Sequence, residues 1–357
     1  MEQKLTLNRL AYLLIIIVFG YIILKQGAFL LIPLVLAALL SVMLQPLSKF
    51  FQRLVKHIVP AVLLTLLSVL IVVGGIITLL SVQLTSIINN LDNITGTINE
   101  GLNQVFLWLD THLNLQESDL KENIPTLTDN VVGFVQKGIT SVTSFIFNLF
   151  FVLLLIFFML WYQHNFRQFL LLQTAPQKRA NLRLIIYKIQ VTMQKYLYGL
   201  LTVMAILAFL NSVGLLIIGI KYAVFWGVLA ALLSIIPYIG TTLGGTLPFL
   251  YAVATAGNWW QPLAVVALYA TIQQLEGNII TPKVVGSSVA INPLVALLAI
   301  IVGGFVWGVV GIILAIPIAG VIKILLDNNP TTRAYGFLLG NLMSSKEDEF
   351  RDWMEAP

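Results

Sequence analysis

The chain has 357 residues, of which 59% are hydrophobic and 10% charged, its net charge is +5, and it contains no cysteine. Soluble domains carry about 25% charged residues, so this composition excludes an ordinary soluble fold. The absence of cysteine excludes disulfide scaffolds, thiol catalysis and cysteine metal sites. Repeated apolar runs of about 20 residues, without the short alternating segments of a membrane β-barrel, predict an all-α polytopic membrane protein.

Apolar segments predict about eight transmembrane spans. They fall near residues 9–24, 28–46, 60–88, 140–162, 197–220, 222–256, 259–281 and 293–325. The sixth is too long for one crossing of a hydrocarbon core about 30 Å thick. It also contains prolines and glycines that interrupt helices, so we predict a broken or re-entrant helix there. The last span is a second candidate for a break, because it contains Gly303, Gly304, Gly308, Gly311 and Pro317.

Charged residues predict the orientation. Residues 48–58 and 163–195 carry Lys and Arg but no acid, whereas residues 89–138 carry seven acids. Under the positive-inside rule the first two segments are cytoplasmic, which places the N-terminus inside. An even count of eight crossings then places the C-terminal tail inside as well. We predict five parts: three spans (1–88), an external amphipathic helical segment (89–138), the fourth span with a basic cytoplasmic amphipathic segment (139–195), a C-terminal transport core (196–326) and a cytoplasmic tail (327–357).

The sequence lacks the residue motifs that several kinds of catalysis and ligand binding require. The sequence has no P-loop motif, no H-E-x-x-H motif and no pair of carboxylates on one span. Its histidines, His57, His112 and His164, are predicted to lie on different sides of the membrane. Basic residues cluster only in loops beside the membrane, which argues against nucleic-acid binding. We therefore expect no enzymatic activity, no metal site and no cofactor, and we favour a protein that moves something across the bilayer.

Glu276 is the only Asp or Glu between Asn130 and Leu326. An acid at the centre of a membrane helix costs roughly 2.5–3.5 kcal/mol, so such residues usually serve a function. Helical spacing pairs Gln273 with Glu276 and Gln274 with Asn278. Gly277 and Pro282 weaken the helix just beyond, which favours a site for a polar solute or a monovalent cation. The alternative is an interfacial anchor in which Glu276 pairs with Lys283 or with a cation of a loop.

A second cluster lies in the sixth span, in the sequence IIPYIGTTLGGTLP (235–248). Its prolines and glycines interrupt helical hydrogen bonding and free backbone carbonyls for protein, water or solute. The spacing of Gly240 and Gly244 equally fits close packing between helices. The predicted helix-breaking or gating residues here are Pro237, Gly240, Gly244, Gly245 and Pro248.

The sequences PYIGTTLGGTLP and QQLEGNIITPKVVGSSVAINPLVALLAIIVGGFVWGVVGIILAIPIAG resemble the signature of the autoinducer-2 exporter family, the PerM-type permeases. The order of spans is similar too. The resemblance implies a transporter of the bacterial inner membrane that forms a homo-oligomer, expected to be a pentamer. Some members export autoinducer-2, and others resemble sodium(lithium)/proton antiporters. The family's motif positions correspond here to Pro237, Gly240, Gly244, Gln273, Glu276, Asn278, Pro282, Gly286 and Pro293.

Two positions depart from the family pattern: Thr241 replaces a frequent proline, and Asn292 replaces a frequent histidine. The second change removes a group that could titrate near neutral pH. We predict a carrier that works by alternating access, in which Glu276 binds the solute or a coupling cation. Cation/proton antiport and a non-transporting membrane scaffold stay open as alternatives. The other candidate binding residues are Gln273, Asn278 and Asn292, and Pro282, Gly286 and Pro293 are the further helix-breaking or gating residues.

Overall fold

The computed structural model describes residues 7–88, 148–236, 239–255, 259–286 and 289–340. These residues are almost entirely helical, and their only β-type pairing is an isolated antiparallel bridge between Ile291 and Gly340. The prediction of an all-α protein is therefore confirmed. The predicted external helices of residues 89–138, Pro237 and the tail beyond Gly340 lie outside the described residues.

Eleven helices follow one another in the described part of the chain. They are α1 (Leu7–Gln26), α2 (Ala28–Val55), α3 (Ile58–Ile88), α4 (Asn148–Trp161), α5 (Gln163–Leu172), α6 (Arg179–Ile218), α7 (Ala223–Leu233), α8 (Ile239–Thr255), α9 (Trp260–Leu275), α10 (Pro293–Asp327) and α11 (Arg333–Leu339). A wider π-helical turn, Glu276–Ile280, and a short helical segment, Thr281–Val284, extend α9.

Five helical segments of the described residues are long and apolar enough to cross a membrane, and the bent pair α4–α5 is a sixth. They are α2, α3, α6 with the turn before it, α9 with its extension, and α10. Residues 14–26 of α1 and α7 form shorter apolar helices. The predicted sixth span is divided into α7 and α8, which confirms a broken helix in the C-terminal half.

Contacts divide the chain into two compact units. The first comprises Met1–Thr65, Phe150–Leu197 and Ser287–Pro357, and the second comprises Leu66–Leu149 and Tyr198–Gly286. Helices α3 and α6 each contribute to both units. The predicted transport core of residues 196–326 therefore has parts in both, and its functional boundaries stay a prediction.

Small residues let the helices of the second unit pack closely. A Cβ atom on Gly227 of α7 would lie 2.2 Å from Ser212 Oγ of α6, and one on Gly214 of α6 would lie 2.4 Å from Leu268 Cδ1 of α9. Such close approach carries much of the packing between membrane helices, because lipid is as apolar as the side chains. The buried core around these contacts contains Leu215, Phe225, Trp226, Tyr251, Ala252 and Val265.

In the first unit, α10 reverses its direction at Trp307 and Gly308. Gly308 has φ +59° and ψ −138°, a conformation that glycine adopts at far lower cost than other residues. A Cβ atom on Gly303 would lie only 2.3 Å from the Gly311 carbonyl oxygen, although residues eight apart in a straight helix are separated by about 12 Å. The break predicted for the last span is therefore confirmed.

The tip of this α10 hairpin contacts the end of α1. The Trp307 Nε1–H group donates a hydrogen bond of 2.9 Å to the carbonyl oxygen of Leu24. Carbonyls in the last turn of a helix have no partner within that helix, so Trp307 satisfies one of them. This bond anchors the tip beside the junction of α1 and α2.

Candidate functional site

A cavity of about 420 Å³ lies in the second unit between α6, α7, α8 and α9. Its walls contain Gly240, Gly244 and Gly245 of α8 together with Gln273 and Glu276 at the end of α9. The glycine-rich cluster and the acidic cluster predicted from the sequence thus lie around the same cavity. Ordinary apolar side chains, among them Leu207, Phe249, Val266 and Ile272, complete much of the wall.

The three glycines of α8 allow this helix to approach its neighbours. A Cβ atom on Gly240 would lie 1.8 Å from the Leu233 carbonyl oxygen, and one on Gly244 would lie 3.0 Å from the Ala230 Cβ atom. A Cβ atom on Gly245 would lie 3.2 Å from the ring of Tyr269. The close-packing interpretation of these residues is therefore correct in the structure, and it also explains how they come to line a cavity.

Glu276 lies where α9 changes from an α-helix to a π-helical turn. Its carbonyl oxygen accepts a hydrogen bond from the Thr281 backbone N–H, five residues later, as in a π-helix. Pro282 explains the change, because it has no N–H and its ring would clash with a carbonyl four residues earlier in an α-helix. The predicted weakening of the helix beyond Glu276 is confirmed, although the chain widens here instead of unwinding.

The Glu276 carboxylate is half-buried and forms no ion pair with Lys283. Within the residues that the structure describes, the ion pair present joins Lys323 and Asp327 at 2.5 Å, in the first unit. The interfacial-anchor interpretation allowed a pair with Lys283 or with a cation of a loop, and among the described residues neither ion pair forms. The carboxylate instead faces the cavity, where a solute or cation could reach it.

Two cavity residues were missed by sequence reasoning, Asn211 of α6 and Tyr269 of α9. Asn211 is 4% exposed, and neither its Oδ1 atom nor the Tyr269 hydroxyl has a hydrogen-bond partner among the described residues. Buried polar atoms nearly always have partners, so these two atoms indicate a bound water or solute. The signal for Asn211 was present in the sequence, since it interrupts a long apolar run.

Asn278 lies on a different face of the α9 extension and does not line the cavity. Its side-chain nitrogen donates to the carbonyl oxygen of Gln274 at 3.0 Å and to the Gln274 Oε1 atom at 2.9 Å. The predicted pairing of Gln274 with Asn278 is confirmed. Pro248 is buried within α8 outside the cavity lining, and Gly286, with φ +52°, follows the end of the α9 extension.

Asn292 and Pro293 belong to the first unit and begin α10. The Asn292 Oδ1 atom accepts a hydrogen bond of 2.8 Å from the Val295 backbone N–H, and its side-chain nitrogen donates to the Leu338 carbonyl oxygen at 2.8 Å. This is an N-cap followed by proline at the first helical position, a common helix start. Both polar atoms of the Asn292 side chain therefore have structural partners, and Pro293 starts a helix instead of breaking one.

Among the described residues, no group of three or more His, Asp or Glu side chains could hold a metal ion. The family model for the AI-2E family transporter matches residues 11–330. The chain belongs to the AI-2E transporter family. As a member of this family it is a multi-pass membrane protein of the transporter class.

Three relatives are similar to this chain along most of their length. The AI-2 transport protein TqsA of Escherichia coli K12 is 27% identical over 360 residues, which cover 95% of this chain and 98% of that protein. A "Putative transport protein" of Haemophilus influenzae Rd is 25% identical over 97% of this chain and all of its own length. "Putative transport protein YueF" of Bacillus subtilis 168 is 26% identical, with 82% of each chain covered.

Proposed function

We propose that this AI-2E family transporter binds a small polar solute in the cavity between α6, α7, α8 and α9 and exports it by alternating access. Autoinducer-2 is the solute we expect. The observation that carries this proposal is the convergence of Glu276, Asn211 and Tyr269 on one largely apolar cavity. The choice of solute and the outward direction come from the family resemblance and from the name of the TqsA relative.

The size and chemistry of the cavity suit such a solute. Small-molecule sites measure about 300–1,000 Å³ and combine apolar walls with a few convergent polar groups. The cavity of about 420 Å³ falls in this range. The Glu276 carboxylate would accept hydrogen bonds from solute hydroxyls, while the Asn211 amide and Tyr269 hydroxyl can both donate and accept. Gln273, which lines the same wall, supplies a further amide.

The helices around the cavity are interrupted, so segments of its wall could move. α7 ends at Leu233, α8 begins at Ile239, and the π-helical turn begins at Glu276. Interrupted helices beside a binding site are a recurring arrangement in secondary transporters. We propose that α8 and the α9 extension rearrange as the cavity changes its access from one side of the membrane to the other.

The test compares purified parent and variant proteins in proteoliposomes under a pH or sodium gradient, with labelled autoinducer-2 as the solute. We expect Glu276→Gln, which keeps the shape of the side chain but removes the charge, to reduce the flux at least tenfold. The matched control is Asn278→Ala, which lies two residues away outside the cavity and should transport like the parent. Parent-like flux through Glu276→Gln, at equal amounts of folded protein, would contradict the site.

Sodium(lithium)/proton antiport is the second candidate, because Glu276 is the one acid among the described residues that line the cavity. A single carboxylate can serve exchange if a proton and a cation compete for it. A pH-sensitive dye inside the same vesicles distinguishes the two functions. A sodium-driven change of internal pH without autoinducer-2 flux would favour antiport. The absence of both the pH change and the flux, in correctly folded protein, would favour a scaffold.

We also propose that the protein lies in the bacterial inner membrane with both termini in the cytoplasm. We expect it to form a homo-oligomer, a pentamer by the family resemblance. Support for the orientation comes from the basic segments 48–58 and 163–195. Accessibility of single cysteines added near each terminus would test the orientation.

A further inference from the structure

A second cavity, of about 560 Å³, lies in the first unit between α2, the α4–α5 pair and α6. The proposed transport cavity belongs to the second unit, and the two share no lining residue. This cavity combines two kinds of side chain that bind anions: neutral amides and basic groups. Among its lining residues are Gln45, Lys49, Gln163, Arg167 and Gln190.

Three glutamines connect the helices around this cavity. The Gln45 side-chain nitrogen donates to the Gln163 Oε1 atom at 2.7 Å, and the Gln190 side-chain nitrogen donates to the Gln45 Oε1 atom. The chain of amides thus ends at the Gln163 nitrogen, which donates to no other described residue. Amide chains of this kind fix the side chains in place, so the terminal N–H groups are held ready for an acceptor.

The charges around the cavity are basic without acidic partners. Lys49 and Arg167 line it, and the sequence has no Asp or Glu within residues 48–58 or 163–195. Among the described residues neither cation forms an ion pair. A guanidinium beside amide donors matches the geometry of a phosphate group, which accepts several N–H bonds at once.

The position of α5 indicates which kind of molecule would carry the phosphate group. This helix bends by 60° from α4, and Phe166, Phe169 and Leu172 are 56%, 58% and 73% exposed on it. A short helix with exposed aromatic and aliphatic side chains beside basic ones is typical of a segment that lies in the membrane interface. Phe166 and Leu170 also line the cavity, so its wall continues towards the acyl chains of lipid.

We propose that this second cavity binds the headgroup of an anionic phospholipid of the cytoplasmic leaflet. Lys49 and Arg167 pair with the phosphate, the Gln163 amide donates to it, and the acyl chains pass over Phe166 and Leu170. The bound lipid holds α2, α5 and α6 together at the membrane surface. This site does not depend on which solute the protein transports.

The experiment titrates phosphatidylglycerol into the full-length protein in phosphatidylcholine nanodiscs and measures bound lipid by native mass spectrometry. We expect phosphatidylglycerol to bind in preference to phosphatidylcholine. Arg167→Gln and Lys49→Gln should each weaken its binding about fivefold through loss of a charged contact to the phosphate, equivalent to about 1 kcal/mol. Arg167→Lys keeps the charge but not the paired N–H groups of the guanidinium, so it should bind more tightly than Arg167→Gln and less tightly than the parent. Equal thermal unfolding of parent and variants shows that the loss in Arg167→Gln is not a folding defect.

The matched control is Arg183→Gln, which removes one exposed cation from the same basic segment but does not line the cavity. It should weaken binding less than twofold. An equal loss in Arg183→Gln would mean diffuse attraction to the surface and would overturn the proposal. Soluble glycerol 3-phosphate is the second probe: if it binds as tightly as phosphatidylglycerol, the ligand is a soluble phosphate ester and the lipid assignment is wrong.

Discussion

The α10 hairpin depends on two glycines that face each other across its arms, and Gly303→Ala tests this directly. The added Cβ atom would lie 2.3 Å from the Gly311 carbonyl oxygen, 0.7 Å short of the 3.0 Å that real Cβ atoms keep. Because the obstructing atom is backbone, no side-chain rotation can relieve the contact. The arms must separate, and they lose the packing between them.

Overpacking of this kind costs about 1–3 kcal/mol. Gly304→Ala is the matched control, since the same methyl group one residue later would meet Ile312 Cγ1 at 3.4 Å, an ordinary contact. Its effect should stay within about 0.5 kcal/mol. The two variants have the same composition and nearly the same helix propensity, so the difference between them isolates the approach of the arms.

The assay is reversible unfolding of the purified protein in mixed micelles, followed by tryptophan fluorescence and circular dichroism. We expect Gly303→Ala to lower the free energy of unfolding by about 2 kcal/mol relative to Gly304→Ala. Equal stability of the two variants would refute the hairpin packing. A continuous α10 would give that result, because neither added methyl group would then face Gly311.

Two further predictions concern the same unit. The double variant Gly304→Cys, Ile312→Cys should form an intramolecular disulfide on mild oxidation, because the two residues face each other across the hairpin. The disulfide is detected as a shift in gel mobility after proteolysis between the two sites. A straight helix would hold these residues about 12 Å apart and prevent the bond. The natural chain has no cysteine, so there is no background reaction. Asn292→Ala should lower the free energy of unfolding by about 0.5–2 kcal/mol through loss of the cap. Asn292→Asp should keep the cap but place a carboxylate oxygen against the Leu338 carbonyl oxygen, so its stability should lie between those of Asn292→Ala and the parent. Transport lost in Asn292→Asp but kept in the less stable Asn292→Ala would contradict a purely structural role.

The sequence was most informative where polar or helix-breaking residues interrupt apolar runs. Glu276 and the glycines of residues 240–245 stand out against their surroundings, and the structure brings them to one cavity. The same reasoning placed a break within the sixth span, which the separation of α7 from α8 confirms. Departures from an apolar background have few physical explanations in a bilayer, so they can be interpreted without knowledge of the fold.

Other features depend on contacts that no local pattern specifies. Glycines spaced four apart in the last span fit a straight packed helix as well as a hairpin, and the choice is made by Gly308 and by the approach of Gly303 to Gly311. Asn211 was overlooked because a single asparagine in a span is compatible with many partners. The capping role of Asn292 could have been predicted locally, since an asparagine directly before a proline is a recognisable helix start, whereas its role in binding stays a prediction.

Asn278 shows how helix geometry limits a binding prediction. Residues two apart in a helix point in nearly opposite directions, so Asn278 could not share a face with Glu276. The structure pairs Asn278 with Gln274 instead and leaves Glu276 beside Gln273 at the cavity. Membership in the same short motif therefore did not imply membership in the same site.

The position of Glu276 argues for a ligand more strongly than for a structural role. Its backbone hydrogen bonds are made by a π-helical turn whose cause is Pro282, so the side chain is not needed to form that turn. No cation among the described residues pairs with the carboxylate, so no ion pair there offsets the cost of placing an acid in an apolar helix. An uncompensated cost is typical of functional sites, where stability is lost for activity. The unpaired Asn211 and Tyr269 atoms in the same cavity share this property, and one polar solute in contact with all three would satisfy them together.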